Sequence, residues 1–369
     1  MPVAHYYSSL SRLKALHDRV ASKLPVNTCN ASACRIWQAE ARERLHRLLG
    51  LERMEPCDPA PRKISEEAVP EGGREKWLIQ TEPDVWMPFY VLVPAGLAPG
   101  ARAPVVIAPH GHGSAGKLAV AGCGEIPAVR DAIRRNNYDY GRQFCAQGYV
   151  VLCPDARGFG ERREFYFGEK RDEDETDETW FMDSSCALLN QKAIALGTTL
   201  AAMWTWDLMR LIDYAATRRD CDTTRLACAG FSGGGLQTLW LSALDKRIRC
   251  AVVSCNFFGF RDSIIHQTRC SCSYVPGLCE WFDVGDIGAL IAPQPLFIEA
   301  ATEDFLSGPR GIVNTIEPHA ITREAYEALG AGDRIQLQVV EGPHRWDGTQ
   351  VWPFVRRWLD HETRTAHND

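Results

Sequence analysis

One pentapeptide, Gly230-Phe231-Ser232-Gly233-Gly234, constrains this chain more than any other feature. The apolar run Leu226-Ala227-Cys228-Ala229 leads directly into it, and a helical pattern from Leu236 to Leu244 leads out. A buried strand that turns into a helix through small residues forces the central serine into a strained turn. The strain lifts its hydroxyl clear of the backbone. Bulky neighbours would collide with the strand and the helix, which is the physical reason for glycine on both sides. The pattern Gly-x-Ser-x-Gly also recurs by chance. Its weight here comes from standing between a strand and a helix.

The remaining pattern agrees with that unit. Trp77-Leu78-Ile79 and Phe89–Val93 read as an antiparallel pair around Glu82-Pro83-Asp84. Buried strands are predicted at 105–108, 149–152, 226–229, 251–254 and 296–300, and a last strand at 335–340. Helical stretches lie between or after them, at 138–147, 193–217 and 351–359. The helix at 193–217 has Leu196, Leu200, Met203, Trp206, Leu208 and Leu211 available for burial. Strands alternating with helices predict an α/β fold with a mostly parallel central sheet covered on both faces. Residues 1–50 read as helices. Ser32 is placed to cap one whose apolar positions are Ile36, Trp37, Ala41, Leu45 and Leu48, with Gly50 at its end. Pro- and charge-rich residues 51–75 read as a connection. The expected organisation is a helical extension and connection at 1–74 and a catalytic domain at 75–365. Segments 114–137 and 162–190 are long and strand-poor, which points to functional or disordered insertions. The second holds Asp172-Glu173-Asp174-Glu175, read as a solvated loop and not a cation site. No internal repeat is visible.

Composition removes several classes. A 45% hydrophobic chain of 369 residues can bury a sizeable core, and a formal charge of −6 argues against a nucleic-acid surface. No apolar stretch reaches the roughly 18 residues of a membrane span. Met1 to Leu24 lacks the apolar core of a secretory signal, so a cytoplasmic location is expected. The fourteen cysteines include several inside apolar strands (Cys153, Cys228, Cys250, Cys255), which reads as reduced, buried thiols. Cys270, Cys272 and Cys279, with His266 before them, raise the question of a metal. Their Cys-x-Cys spacing differs from that of zinc knuckles, and no second pair completes four ligands. No metal and no cofactor is therefore expected, and chelators should leave activity unchanged.

A serine hydroxyl is a poor nucleophile at neutral pH. It needs a base, a carboxylate to orient that base, and donors for the oxyanion that forms. His344 follows the last predicted strand through Gly342-Pro343, a loop able to carry a side chain back over the sheet. Asp304 follows the preceding strand, where the chain must end and turn before a carboxylate can reach an imidazole. Glu303 competes with it, because position along a turn is not fixed by pattern. The oxyanion donors are expected to be the N–H groups of Gly233 and of His112 in Pro109-His110-Gly111-His112-Gly113, with Gly111 and Gly113 as near alternatives. The His110 side chain is expected to buttress that loop. His110 and His112 as a metal pair lack nearby partners. Arg157 and Glu161, just after a central strand, read as a buried ion pair bracing the sheet's edge, with substrate contact as the alternative. Trp180, Phe181, Tyr274, Trp281, Phe282 and Trp346 lie in predicted rim loops, where they either stack on substrate or pack the loops.

These residues resemble a family. Residues 75–365 resemble an α/β-hydrolase, and within that fold the bacterial acetyl xylan esterase group. That group is related to dienelactone hydrolases and to acetyl xylan esterase/cephalosporin C deacetylases. Four segments carry the likeness: Pro109–Gly113, Asp155-Ala156-Arg157-Gly158-Phe159-Gly160-Glu161, Gly230–Gly234, and Cys270-Ser271-Cys272-Ser273-Tyr274-Val275-Pro276-Gly277. Asp286-Ile287 and Ile291-Ala292-Pro293-Gln294-Pro295 follow the last. The chain departs in its N-terminal helices and in Arg157-Gly158-Phe159, where the deacetylases usually carry Arg-Gly-Gln. The resemblance implies hydrolysis of short-acyl esters, acetyl-type and carbohydrate esters included. Ser232, Asp304 and His344 would act through an acyl-enzyme, without a cofactor, on a small-molecule substrate. Two rivals are a serine peptidase of the prolyl-oligopeptidase type, whose propeller about 75 N-terminal residues cannot build, and a catalytically silent α/β-hydrolase used as a binding module, in which a triad member is typically lost. No nucleic-acid or membrane partner is expected, and homo-oligomerisation is left open. The two insertions are expected to wall the pocket against long acyl chains, and the acidic run to disfavour anionic substrates.

Overall fold

Strands that are apolar along their whole length must be covered on both faces. The computed structural model, which describes residues 7–165 and 180–360, has that arrangement. One sheet contains β1 (Arg62–Val69), β2 (Gly72–Glu82), β3 (Val85–Pro94), β4 (Ala103–Ile107), β5 (Val150–Pro154), β6 (Cys221–Phe231), β7 (Cys250–Ser254), β8 (Leu296–Glu303) and β9 (Ile335–Pro343). Their spatial order is β1-β2-β3-β5-β4-β6-β7-β8-β9. The β1-β2, β2-β3 and β3-β5 pairs are antiparallel, and every pair from β5 across to β9 is parallel. Side chains of successive strand residues point to opposite faces, so each central strand feeds two separate cores. Val105, Ile107, Cys228, Val253 and Ile298 belong to one. Val106, Ala108, Ala227, Ala229, Val252 and Phe297 belong to the other. Helices Ala31–Leu49, Leu200–Thr217 and Gly233–Leu244 pack into the first core, and helices Tyr140–Ala146 and Val351–Leu359 into the second.

Four local expectations need correction. Helix Ala31–Leu49 is capped by Asn30, whose side chain accepts from the Ala33 N–H at 2.9 Å, and not by Ser32. Its Ile36 is exposed, while Cys34, Trp37, Ala41, Leu45 and Leu49 face the core beside Gln38, which donates to the Ala289 and Ala292 carbonyls. The predicted helix at 193–217 is two helices, Cys186–Ala195 and Leu200–Thr217. Gly197, at φ +76°, ends the first, and the Thr199 hydroxyl caps the second, which leaves Leu196 75% exposed. The connection at 51–75 contains β1 and the start of β2, so the sheet crosses the expected boundary at residue 75. β1 is solvated on both faces, and its charged residues reach across to β2, as Lys63 does to Glu75 at 2.8 Å. Such a strand carries no apolar signal, and its charges protect an open edge. The segment at 114–137 holds two helices, Lys117–Val120 and Pro127–Asn136. The acidic run Asp172–Glu175 lies outside the described residues. Among those described, no helix is long and apolar enough to cross a membrane.

Arg157 and Glu161 do not pair with each other. Arg157 binds Asp207 through two bonds of 3.0 and 2.8 Å and Glu82 at 2.7 Å, and Arg162 joins the same Asp207 at 2.7 Å. Glu161 instead meets Lys117 and Lys76, and Lys117 also holds the buried Asp155 at 2.6 Å. The first cluster ties β2, the turn after β5 and helix Leu200–Thr217 together. Burial pushes the Asp207 carboxyl up, but Arg157 and Arg162 outweigh it and hold it at about 2. Removing that charge leaves the buried Arg162 guanidinium without its carboxylate and Arg157 with Glu82 alone. Asp207→Asn is therefore expected to lower unfolding free energy by about 3–5 kcal/mol in denaturant titration.

Candidate active site

Ser232 stands between β6 and helix Gly233–Leu244 with φ +58° and ψ −120°, a conformation a non-glycine residue holds only under constraint. Its N–H donates to the Ser254 carbonyl at 2.9 Å, and its carbonyl accepts from the Asn256 side chain at 2.7 Å. The glycines are demanded by close approach. A Cβ on Gly230 would lie 2.2 Å from the Gly234 carbonyl oxygen, and one on Gly234 would lie 2.0 Å from that of Pro109.

His344 follows β9 and faces Asp304, which follows β8. The Nδ1–Oδ2 distance is 2.7 Å. The second Asp304 oxygen accepts from the Leu306 N–H at 2.9 Å, so the buried carboxylate is held from both sides. The imidazole packs between the rings of Phe231 (4.6 Å) and Phe305 (5.4 Å). With Nδ1 donating to the carboxylate, Nε2 presents a lone pair. Glu303 is exposed and forms part of the cavity wall, away from the imidazole's Nδ1 partner.

The loop after β4 lies directly against the serine turn, where a Cβ on Gly111 would come within 2.7 Å of the Gly233 nitrogen. The Gly111 N–H is bonded to the Tyr138 hydroxyl at 3.0 Å. Among the described residues the N–H groups of His112 and Gly233 donate to no protein acceptor. His110 is fully buried. Its Nε2 accepts from the Ala156 N–H at 3.0 Å, and its Nδ1 lies 2.9 Å from the Gly111 carbonyl. This arrangement selects the neutral tautomer with its proton on Nδ1.

Ser232, Gly233, His112 and His344 line one cavity of about 610 Å³. Ala132, Arg135 and Asn136 of helix Pro127–Asn136 form part of its wall, as do Arg269, Cys270 and Cys272. Four expected contributors do not line it: Arg157, Glu161, Tyr274 and Trp346. Trp346 is fully buried and stacks on Tyr140 at 4.8 Å. The Tyr274 hydroxyl donates to the Ile264 carbonyl. Trp281 lies under the Arg44 guanidinium, and Phe282 is in the core. The Trp180 side chain lies outside the described residues. Asn256 and Tyr138 carry no sequence signal, while Arg269 and Phe305 only adjoin the Cys270–Gly277 segment and Asp304.

The cysteines gather differently from the sequence expectation. Cys270 and Cys272 meet Cys186 and His112, and neither His266 nor Cys279 joins them.

No family model matches the chain. Among curated proteins it is 27% identical over 333 residues to the candidate hydrolase YtaP of Bacillus subtilis, a match that covers 87% of this chain and all of the relative. Among solved structures it is similar to a candidate acetyl xylan esterase from Bacteroides fragilis, at a TM-score of 0.72 and 18% identity, over 92% of this chain and 84% of that one. The chain has the α/β-hydrolase fold. Also similar in structure is a glucuronoyl esterase from Solibacter usitatus, at a TM-score of 0.63 and 17% identity, over 91% of this chain and 97% of that one. In this fold the helix after the serine strand and the loops after the parallel strands converge at one edge of the sheet. The cavity opens at that edge.

Burial holds the His110 imidazole well below its ordinary 6.5, at about 4. The depressed value means that its contribution to stability is complete above about 6.5 and is lost as pH falls toward 4. Asp286, raised to about 7 by burial, acts in the opposite sense, so the two must be separated by mutation. In His110→Asn the melting temperature should be lower throughout. The acid-side drop should also be shallower than in the wild type across that window, as followed by circular dichroism.

Proposed function

We propose that the protein is a serine esterase acting on short-acyl esters, carbohydrate esters among them. The observation that carries this reading is the 2.7 Å bond between His344 and Asp304, at a cavity shared with the strained Ser232 and two unengaged backbone donors. The names of the structural neighbours, an acetyl xylan esterase and a glucuronoyl esterase, favour ester substrates on sugars.

In this mechanism Nε2 of His344 takes the Ser232 proton, and the alkoxide attacks the ester carbonyl carbon. The resulting oxyanion accepts from the N–H groups of Gly233 and His112. The alcohol leaves with the proton from His344, which gives an acyl-serine. Water then repeats the sequence and releases the acid. Asp304 keeps the imidazole in the tautomer that can accept at Nε2 and stabilises the imidazolium. A cavity of about 610 Å³ suits a small acyl group with a sugar-sized alcohol. The wall at Ala132, Arg135 and Asn136 supports the size limit expected of segment 114–137. The described lining carries Arg135 and Arg269 against Glu303, so it gives no support to exclusion of anionic substrates.

Ser232→Ala should lower kcat on an acetyl ester on the order of 10⁴- to 10⁶-fold with the melting curve retained. Activity within tenfold of wild type would overturn the nucleophile. Asp304→Asn should cost about 10⁴-fold, because the amide favours the wrong His344 tautomer, whereas Glu303→Gln should stay within about tenfold. In a chain-length series, kcat/KM should fall from acetyl and propionyl to octanoyl esters. A rise along the series would mean an open groove.

A further inference from the structure

Three thiols and an imidazole come together beside the cavity from three distant segments. His112 belongs to the loop after β4, Cys186 begins helix Cys186–Ala195, and Cys270 and Cys272 flank Ser271 in a third segment. Their Nε2 and Sγ atoms all lie within 4.8 Å of one another. Nε2 of His112 is 3.9 Å from the Cys186 sulfur and 3.8 Å from that of Cys272. A zinc ion with Zn–S of about 2.3 Å and Zn–N of about 2.0–2.1 Å in tetrahedral geometry requires ligand–ligand edges of roughly 3.5–3.8 Å. Both Nε2–Sγ distances are close to such edges, and no pair among the four atoms is separated by more than 4.8 Å. We propose that His112, Cys186, Cys270 and Cys272 bind one zinc ion in a closed Cys₃His site.

The surroundings are those of a structural metal centre. Cys186 and Cys272 are buried among Phe159, Leu200 and Trp204, an apolar shell around these two sulfurs, while His112 and the half-buried Cys270 border the cavity. The Phe159 ring meets His112 edge-on at 5.0 Å. Asn190 fixes two of the segments without help from the metal, donating to the Ser271 and Tyr274 carbonyls at 2.7 and 3.1 Å and accepting from the Leu200 N–H. Charge also fits. Binding Zn²⁺ releases up to three thiol protons to solvent and leaves three thiolates, a neutral imidazole and a net charge of −1. Arg269, adjoining Cys270, supplies the balancing cation. Its guanidinium donates to the Leu306 carbonyl and forms no ion pair with a carboxylate among the described residues.

Four protein ligands leave no open position for a reactive water, so the ion's work is positioning. It fixes the His112 imidazole and with it the backbone that carries the His112 N–H. It also cross-links the oxyanion loop, the end of segment 162–190 and the cavity wall. The inference does not depend on hydrolysis. Ser232→Ala should keep its zinc, so the metal site and the esterase reading fail separately.

The test is metal analysis of the full chain, expressed with zinc and purified under reducing conditions without chelator. About one zinc per chain is expected in the wild type and in Ser232→Ala, and below about a tenth in Cys186→Ser and Cys272→Ser. Cys279→Ser, in the same segment but outside the cluster, should retain the full equivalent. If the cluster variants fail to fold, cobalt substitution of the wild type decides. Thiolate-to-cobalt charge transfer with intense tetrahedral ligand-field bands supports the site, and weak octahedral bands exclude it. A reduced wild type that takes up no zinc on titration would overturn the proposal. So would a disulfide among Cys186, Cys270 and Cys272, found by mass spectrometry of the freshly isolated protein.

Discussion

The proposed chemistry depends on how closely the turn after β6 approaches the loop after β4. The Pro109 carbonyl lies where a Cβ on Gly234 would be, and Gly111 lies against the Gly233 nitrogen. Side chains lock that contact from outside. The Tyr140 hydroxyl binds the Pro109 carbonyl at 2.5 Å, and Gln237 donates to the His110 carbonyl at 2.7 Å. Two residues from segments 121 positions apart in sequence, His112 and Gly233, therefore line one cavity. The same contact explains how Ser232 holds a positive φ. Strain of about 1–3 kcal/mol persists only where surrounding bonds over-determine it, and here Ser254, Asn256 and the helix beginning at Gly233 do so.

The proposed acid and base, Asp304 and His344, come from the other half of the sheet. β8 and β9 run parallel, and their pairing slips between Ala301 and Glu303. That irregularity turns the next residue, Asp304, inward to His344 and leaves Glu303 outward. A strand pattern of period two cannot show such a slip. This is why the sequence narrowed the carboxylate to two adjacent residues while the backbone separates them.

Legibility followed locality. The turn at Ser232, the His-Gly loop and the histidine after the last strand are each contained within five or six consecutive residues, and the order of parallel strands follows from alternation of apolar runs. What escaped was set by contacts distant in sequence. β1 bears charges on both faces and reads as a connection. Asn30 took the cap that Ser32 could have filled. The partners of Arg157 came from β2 and from a helix 50 residues on. The thiol cluster is the extreme case, since His112 stands 74 residues from Cys186 and 160 from Cys272. Ligand spacing along the chain reveals a site only when the ligands share a hairpin or a helix.

The loop that carries His344 is fastened beyond the histidine as well as before it. Glu299, buried in β8, accepts from the Asp347 and Gly348 N–H groups, and the Trp346 N–H donates to the Asn136 carbonyl at 3.1 Å. Asn136 also belongs to the cavity wall, and Asn137 returns a bond to the Trp346 carbonyl. The loop of the proposed base and the cavity wall are thus joined by hydrogen bonds. In the proposed mechanism, a guest that forces the wall outward also pulls on the loop that carries the imidazole, so excess size would penalise turnover itself as well as occupancy.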